Sequence, residues 1–336
     1  MYPQSNEERP TLPDLAAERL QVTSVGLGVA TITVVTFLAQ VLLLAAVRAW
    51  VPWLTEQNWF LIAASTLPIY LVAMPASLLV FSVGKAEPPT VKKRLSPLIL
   101  LGLVALCFTL TYAGNVIGAV ADKLLELLTN KETANQLEEL TLATPLWANL
   151  LFAGILAPVL EELFYRKLII DRLHRYGTLP AILASGLLFG LAHGNLNQFF
   201  YTALLGVLFG YLYLSTGRLR YPILLHMVIN LIGGVYSTEM LKGLSGLEEL
   251  GTTADLSQLL ANDGAILSLC MMALYGFFLV VCFIATPVVV ILLWKRVKLE
   301  KSRVPLSKKA IASLLLCNGG TVLALCVLLL QFVLSL

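Results

Sequence analysis

Charged residues are scarce in this chain. Asp, Glu, Lys and Arg make up 13% of its 336 residues, about half the fraction found in a typical soluble domain. Hydrophobic residues make up 58%, and the mean hydropathy is +0.84. This composition argues against a soluble or secreted protein and against direct nucleic-acid binding. The net charge of +3 is too small to indicate a partner by itself.

Cysteine and histidine are also rare, and neither forms a familiar metal-binding spacing. The five cysteines lie in apolar runs without a CxxC pair, so we interpret them as small buried hydrophobes. They are Cys107, Cys270, Cys282, Cys317 and Cys326. The N-terminal segment lacks the basic start and short apolar core of a cleaved signal peptide, so we expect the first apolar run to remain as an anchor.

Long apolar runs dominate the rest of the sequence. A helix needs about 20 apolar residues to cross the hydrocarbon core. The runs therefore predict an all-α polytopic integral membrane protein with about eight to nine transmembrane helices. The candidate spans are 22–47, 58–83, 97–121, 145–165, 179–194, 198–215, 222–237, 264–294 and 310–335.

Basic residues alternate between the connections. With a cytoplasmic N-terminus, all of the 23 Lys and Arg residues fall on the cytoplasmic side except Arg48, Lys123, Lys131 and Lys242. The positive-inside rule therefore predicts a multi-pass protein with that orientation. We divide the chain into a cytoplasmic tail (1–21), N-terminal transmembrane helices (22–143), a polar-residue core (144–237), and an acidic loop with C-terminal transmembrane helices (238–336).

Two adjacent carboxylates, Glu161 and Glu162, interrupt the fourth span, where each costs a few kcal/mol or more. Glu162 and Arg166 are four residues apart, share a helix face and can pair. Glu161 points about 100° away. We expect Arg166 to hold Glu162 at the cytoplasmic end of the span, with Glu161 facing a cavity as a general base. The alternative is a helix that ends at residue 160 and leaves both carboxylates in water.

Two further pairs of residues share helix faces in apolar segments. Phe189 precedes His193 by four residues, and His226 precedes Asn230 by four. Each has a plainer interpretation. His193 could be an interfacial histidine at a helix end, and His226 with Asn230 could form an interhelical hydrogen bond that serves packing. The occurrence of all of them in neighbouring spans favours one buried reaction centre.

Glycines recur at every fourth position in the fifth and sixth spans. They are Gly186, Gly190 and Gly194, followed by Gly206 and Gly210. Small residues at this spacing let helix backbones approach closely. The pattern predicts tight packing between these two helices.

In this order and spacing, three motifs resemble those of the CPBP family, which comprises CAAX proteases and bacteriocin-processing enzymes and is also called Abi. The motifs are EExxxR at Glu161–Arg166, FxxxH at Phe189–His193 and HxxxN at His226–Asn230. The resemblance covers about residues 145–237 and makes 144–237 the catalytic core. It implies an intramembrane glutamic endopeptidase, similar to the Ras-converting CAAX endopeptidase.

The resemblance also implies a role for each motif residue. Glu161 would activate water with help from His193, while His226 and Asn230 would stabilise the oxyanion. The second glutamate and the arginine of the first motif would support the site. The expected substrates are membrane-associated or lipid-modified proteins or peptides, cleaved in CAAX-type processing or in bacteriocin maturation and self-immunity.

Other chemistries stay open from the sequence. No cofactor is expected, but zinc would find its ligands in Glu161, His193 and His226 if they converge. A non-catalytic membrane scaffold that binds another membrane protein is the main alternative to a protease. A transporter with a proton relay would predict paired broken helices in repeated halves, which the sequence does not contain.

Overall fold

A computed structural model describes residues 14–129, 136–248 and 263–334, and every regular element within these ranges is helical. Asp14 accepts hydrogen bonds from the N–H groups of Ala16 and Ala17 and so caps the first helix. This helix begins at Leu15, before the predicted boundary at residue 22. The remainder of the predicted tail and much of the acidic loop, residues 249–262, lie outside the described residues. In chain order the helices are α1 (Leu15–Trp50), α2 (Asn58–Phe81), α3 (Pro97–Thr129), α4 (Gln136–Ala143), α5 (Leu146–Tyr176), α6 (Thr178–Ala192), α7 (Leu196–Thr216), α8 (Arg220–Gly243, continuing to Glu248), α9 (Asp263–Trp294), α10 (Lys308–Leu316) and α11 (Gly319–Leu334).

The described helices confirm an all-α polytopic membrane protein. Seven of them are long and apolar enough to cross a membrane, and the bent pair α10–α11, with an angle of 52°, would make an eighth. The predicted span 179–194 corresponds to α6, which has only 15 residues. A helix this short is below the length of a full crossing, so its ends depend on neighbouring helices for cover.

The predicted end of the fourth span at residue 165 is wrong, because α5 continues to Tyr176. The basic residues after 165 suggested an exit into water, yet Arg166 and Arg172 are both buried. Arg166 pairs with Glu162, and Arg172 donates to the backbone carbonyl of Phe81 at 2.7 and 3.0 Å. Protein groups therefore satisfy these charges, and the Glu162–Arg166 pair lies well inside the helix.

Two large apolar clusters form most of the interior of the bundle, and a third, smaller one joins α2 to the start of α5. One large cluster joins α1, α2, α5, α6 and α11 and includes Phe164 and Leu328. The other joins α3, α7, α8 and α9 and includes Phe209 and Leu225. Helices α5 and α8, which carry most of the motif residues, belong to different clusters. The contact between them therefore links the two halves of the core.

The predicted close packing of α6 against α7 is confirmed. A Cβ atom added to Gly206 would lie 2.8 Å from the Cα of Gly186, so the two backbones touch. Gly194 has a different purpose from the one its spacing suggested. Its φ of +72° is in the left-handed region that glycine adopts most readily, and it ends α6 immediately after His193.

The interpretation of all five cysteines as buried is wrong for three of them. Cys107 and Cys282 are buried, whereas Cys270, Cys317 and Cys326 are exposed on the outside of the bundle. A helix in lipid carries apolar residues on its outer face as well as its inner face, so an apolar run does not predict burial within the protein.

Candidate active site

A buried ion pair lies at the bottom of the site. Arg166 Nε lies 2.7 Å from Glu162 Oε2 and Nη2 lies 3.2 Å from Oε1, and neither side chain is exposed (0% for both). The remaining nitrogen, Nη1, donates to Ser185 Oγ of α6 at 2.5 Å. Ser185 donates onward to the carbonyl of Tyr165 at 3.1 Å. Such a pair is tolerated inside a protein because its geometry is good and each guanidinium nitrogen has a hydrogen-bond partner.

His226 of α8 extends this network. Its Nδ1 lies 3.1 Å from Glu162 Oε1. An ionised carboxylate only accepts hydrogen bonds, so Nδ1 carries the hydrogen. The ring is held between Phe189 and Phe209, with centroid distances of 5.7 Å to each. His226 is therefore fixed by one carboxylate and two aromatic rings, and its Nε2 is directed away from Glu162.

Glu161 lies on the other side of His226. Its Oε2 is 3.8 Å from His226 Nε2, which is too long for a direct hydrogen bond. Its Oε1 accepts a long hydrogen bond, 3.5 Å, from the hydroxyl of Tyr70. The side chain is 25% exposed, whereas that of Glu162 is fully enclosed. The two adjacent carboxylates therefore occupy different environments, one clamped and one accessible.

His193 is the residue at which α6 ends. Its Nδ1 is 2.8 Å from the carbonyl of Phe189, and a carbonyl can only accept, so Nδ1 carries the hydrogen and a neutral ring leaves Nε2 free. Phe189 also contacts the ring of His193 edge-on at 4.9 Å. Glu161 and His226 lie within electrostatic range of the imidazole. One aromatic ring thus touches both histidines of the site.

Asn230 pairs with the backbone of α5. Its Nδ2 donates to the carbonyl of Ala153 at 2.9 Å. That carbonyl is free because the π-helical turn Asn149–Leu156 directs the N–H of Ala157 to Phe152 instead, and Pro158 has no N–H to offer. Asn230 therefore closes a gap in the hydrogen bonding of α5 and keeps one amide hydrogen for another partner.

Sequence reasoning missed Tyr70, Ser185 and Phe209 as neighbours of the site. Tyr70 lies in a π-helical turn of α2, Ile69–Ala73. Turns of this kind are frequent at functional sites. Ser185 offered a signal, because a lone polar residue in an apolar helix generally has a partner. Phe209 offered none, since aromatic residues are ordinary in spans.

The metal prediction had depended on convergence of three ligands. Among the residues that the structure describes, no three His, Cys, Asp or Glu side chains are grouped to hold a metal ion. The proposed zinc ligands Glu161, His193 and His226 thus do not fit as a ligand set in this arrangement. The expectation of a cofactor-free reaction stays a prediction.

A comparison with family models points to the same segment. Residues 143–232 match the family model described as type II CAAX prenyl endopeptidase, Rce1-like. The chain is also similar to "Putative membrane peptidase YdiL" of Bacillus subtilis, with 26% identity over 134 residues, which are 40% of this chain and 54% of the relative. The chain thus spans about half the length of the curated relative that it matches. No solved structure matches the chain.

Proposed function

We propose that this chain is an intramembrane endopeptidase of the CPBP family, which includes the CAAX proteases, and that Glu161 activates water. The match of residues 143–232 to the Rce1-like family model supports this proposal. The substrates would be membrane-associated or lipid-modified proteins or peptides, as in CAAX-type processing or in bacteriocin maturation and self-immunity. One observation carries the proposal. A fixed chain of contacts runs from Arg166 through Glu162 to His226. It ends beside the carboxylate of Glu161, which is partly exposed.

Of the two adjacent carboxylates, Glu161 is the one accessible enough to act as a general base. Both oxygens of Glu162 are taken by Arg166 and His226, and water has no access to them. Glu161 has only distant polar neighbours and is partly exposed. In the proposed step it removes a proton from water as the water oxygen attacks the substrate carbonyl carbon. The same proton then passes to the leaving amine as the C–N bond breaks.

His226 would stabilise the oxyanion that forms in this step. Glu162 accepts the Nδ1 hydrogen, so only a protonated ring has a second N–H to donate from Nε2. Donors that are positioned before the reaction stabilise developing charge at little reorganisation cost. The second amide hydrogen of Asn230 would be the other donor.

His193 would position the attacking water. Its Nδ1–H is committed to the carbonyl of Phe189, which fixes the ring and leaves Nε2 as an acceptor when the ring is neutral. An acceptor near Glu161 can hold one hydrogen of the water while the carboxylate takes the other. No step is assigned to a metal ion.

The proposal is tested by mapping new peptide termini in membranes. Cells that lack the protein are complemented with wild type, Glu161→Gln or Glu56→Gln at matched expression. Glu56 is an exposed glutamate at the end of a short turn after α1 and serves as the matched control. We expect defined termini with wild type and Glu56→Gln but not with Glu161→Gln.

Two outcomes would contradict the proposal. Termini that are identical with wild type and Glu161→Gln would exclude Glu161 as the base. If Glu161→Gln also restores the phenotype of the deleted strain, the scaffold function takes the place of catalysis. The termini themselves would identify the substrate, because each new end marks a cleaved bond.

A further inference from the structure

A basic cavity of about 460 Å³ lies where α3 begins and α7 and α9 end. Five cations and one carboxylate line it: Lys93, Lys295, Arg296, Lys298, Arg303 and Glu300. None of the motif residues of the candidate active site belongs to the lining. The cavity is therefore a second polar region, and its charge is strongly positive.

Most of this positive charge is not paired with carboxylates in the part of the chain that the structure describes. Arg303 lies 3.5 Å from Glu87. Lys93, Lys295, Arg296 and Lys298 form no ion pair with any carboxylate in the described part of the chain. Gathering like charges around a concave surface creates a positive potential that attracts an anion.

An apolar groove of about 390 Å³ adjoins the cavity. It runs between α3, α7 and α9 and includes Leu103, Leu106, Leu208, Val290 and Leu293. Lys93, Tyr211, Ser215 and Arg296 line both the cavity and the groove. A single ligand that fills both must therefore have an anionic end and an apolar chain.

Hydrogen bonds to its backbone hold the connection after α9 in place beside the cavity and the groove. Tyr211 Oη accepts from the N–H of Lys298 at 3.1 Å and donates to the carbonyl of Arg296 at 3.4 Å. Thr178 of α6 accepts from and donates to the backbone of Glu300, both at 3.0 Å. The basic connection after α9 is thus tied to α6 and α7, so its lysines and arginines are positioned by the fold.

We propose that the cavity and groove form one binding site for an anionic phospholipid. Its phosphate would lie among Lys93, Arg296 and Lys298, and an acyl chain would occupy the groove. A free phosphate would leave the groove empty, and a neutral lipid would leave the cations unbalanced. The site is on the face that the sequence predicts to be cytoplasmic, where acidic lipids meet basic protein segments.

Native mass spectrometry of the full-length protein in detergent tests the charged end. The probes are dioleoyl phosphatidylglycerol and dioleoyl phosphatidylcholine. We expect wild type to retain phosphatidylglycerol at least about tenfold more strongly, in line with the attraction that each basic residue adds. In K93Q/R296Q/K298Q the preference should fall close to unity. K301Q/K308Q/K309Q removes the same charge from the same face outside the cavity and should keep the preference.

Val290→Trp tests the apolar end, because Val290 is 40% exposed and a larger ring there fills the groove from the lipid side. It should weaken phosphatidylglycerol binding several-fold while lipid-free melting stays near wild type. Equal retention of both lipids by wild type would overturn the proposal in favour of ordinary boundary lipid. Displacement of the lipid by equimolar inorganic phosphate would overturn it in favour of a free-phosphate site. Should the triple variant not fold, Arg296→Gln alone replaces it, with a smaller expected loss of preference.

Discussion

Helices α5 and α9 are both long apolar spans, but they differ in where they place polar groups. A third of the most apolar stretch of α5 is buried in the protein (33%), against 6% for α9. Helix α5 contains Glu161, Glu162 and Arg166, whereas α9 has no charged residue after Asp263. Both helices are apolar enough to cross a membrane, and α9 is the more apolar of the two. The costly polar groups within α5 mark it as the helix that carries the site.

The backbones of the two helices differ in the same way. Helix α5 changes to π-helical turns at Asn149–Leu156 and Leu163–Ile170, on both sides of the two glutamates. Helix α9 stays α-helical throughout, although it contains Pro287. A π-turn leaves some carbonyls without their usual partner, and side chains such as Asn230 then complete the hydrogen bonding. Irregular backbone therefore accompanies the polar network.

The largest expected effect lies at the accessible carboxylate. Glu161→Gln keeps the size of the side chain but removes the base, so we expect kcat/KM for a cleaved substrate to fall by about 10²–10⁴-fold. The melting temperature in detergent should change little, because Glu161 has no short ion pair. Activity of the purified variant within threefold of wild type would contradict the assignment.

Breaking the buried ion pair should damage stability rather than only activity. Arg166→Met leaves the buried Glu162 carboxylate with His226 as its remaining side-chain partner, and we expect a loss of about 3–5 kcal/mol in the free energy of unfolding. Denaturant titration in detergent measures this loss. The double variant Glu162→Leu/Arg166→Met removes both charges and should recover much of the stability without recovering activity. A single variant as stable as wild type would show that the pair is solvated.

Matched glycine substitutions compare the core with the periphery directly. A Cβ at Gly206 would meet the Cα of Gly186 at 2.8 Å, so Gly206→Ala should cost about 1–3 kcal/mol. A Cβ at Gly276 of α9 has no heavy atom within 4 Å, and Gly276→Ala should be neutral or stabilising by up to about 1 kcal/mol. Thermal unfolding of the two variants checks the difference. Equal melting temperatures would mean that α6 and α7 separate without cost.

The sequence predicted those features that depend on local spacing. The pairing of Glu162 with Arg166 follows from four-residue spacing, and the contact of Gly186 with Gly206 follows from repeated small residues. The length of α5 could not be predicted, because a buried Arg166 and an exposed one look the same in sequence. Their difference depends on Ser185, which comes from another helix.

The long-range partners of the site residues could not be predicted from the sequence for a related reason. Tyr70 reaches Glu161 across 91 positions, and nothing in the apolar run around it distinguishes it from an interfacial tyrosine. Asn230 was recognised as a polar residue of the site, but its bond to Ala153 depends on the π-turn of α5, which no spacing rule predicts. Pro158, which has no N–H to donate, is a local feature of the sequence that accompanies this irregular part of the helix.

The smallest effect expected in the comparison concerns two tyrosines. Tyr70→Phe removes the 3.5 Å hydrogen bond to Glu161, and a bond of this kind contributes roughly 0.5–1.5 kcal/mol, so kcat/KM should fall about two- to tenfold. Tyr275→Phe in α9 removes a shorter bond, 3.1 Å, to the hydroxyl of Tyr112. That variant should change the melting temperature slightly and leave kcat/KM unchanged. If both variants lose stability equally and neither loses activity, Tyr70 only packs α2 against α5, and the reacting carboxylate does not depend on it.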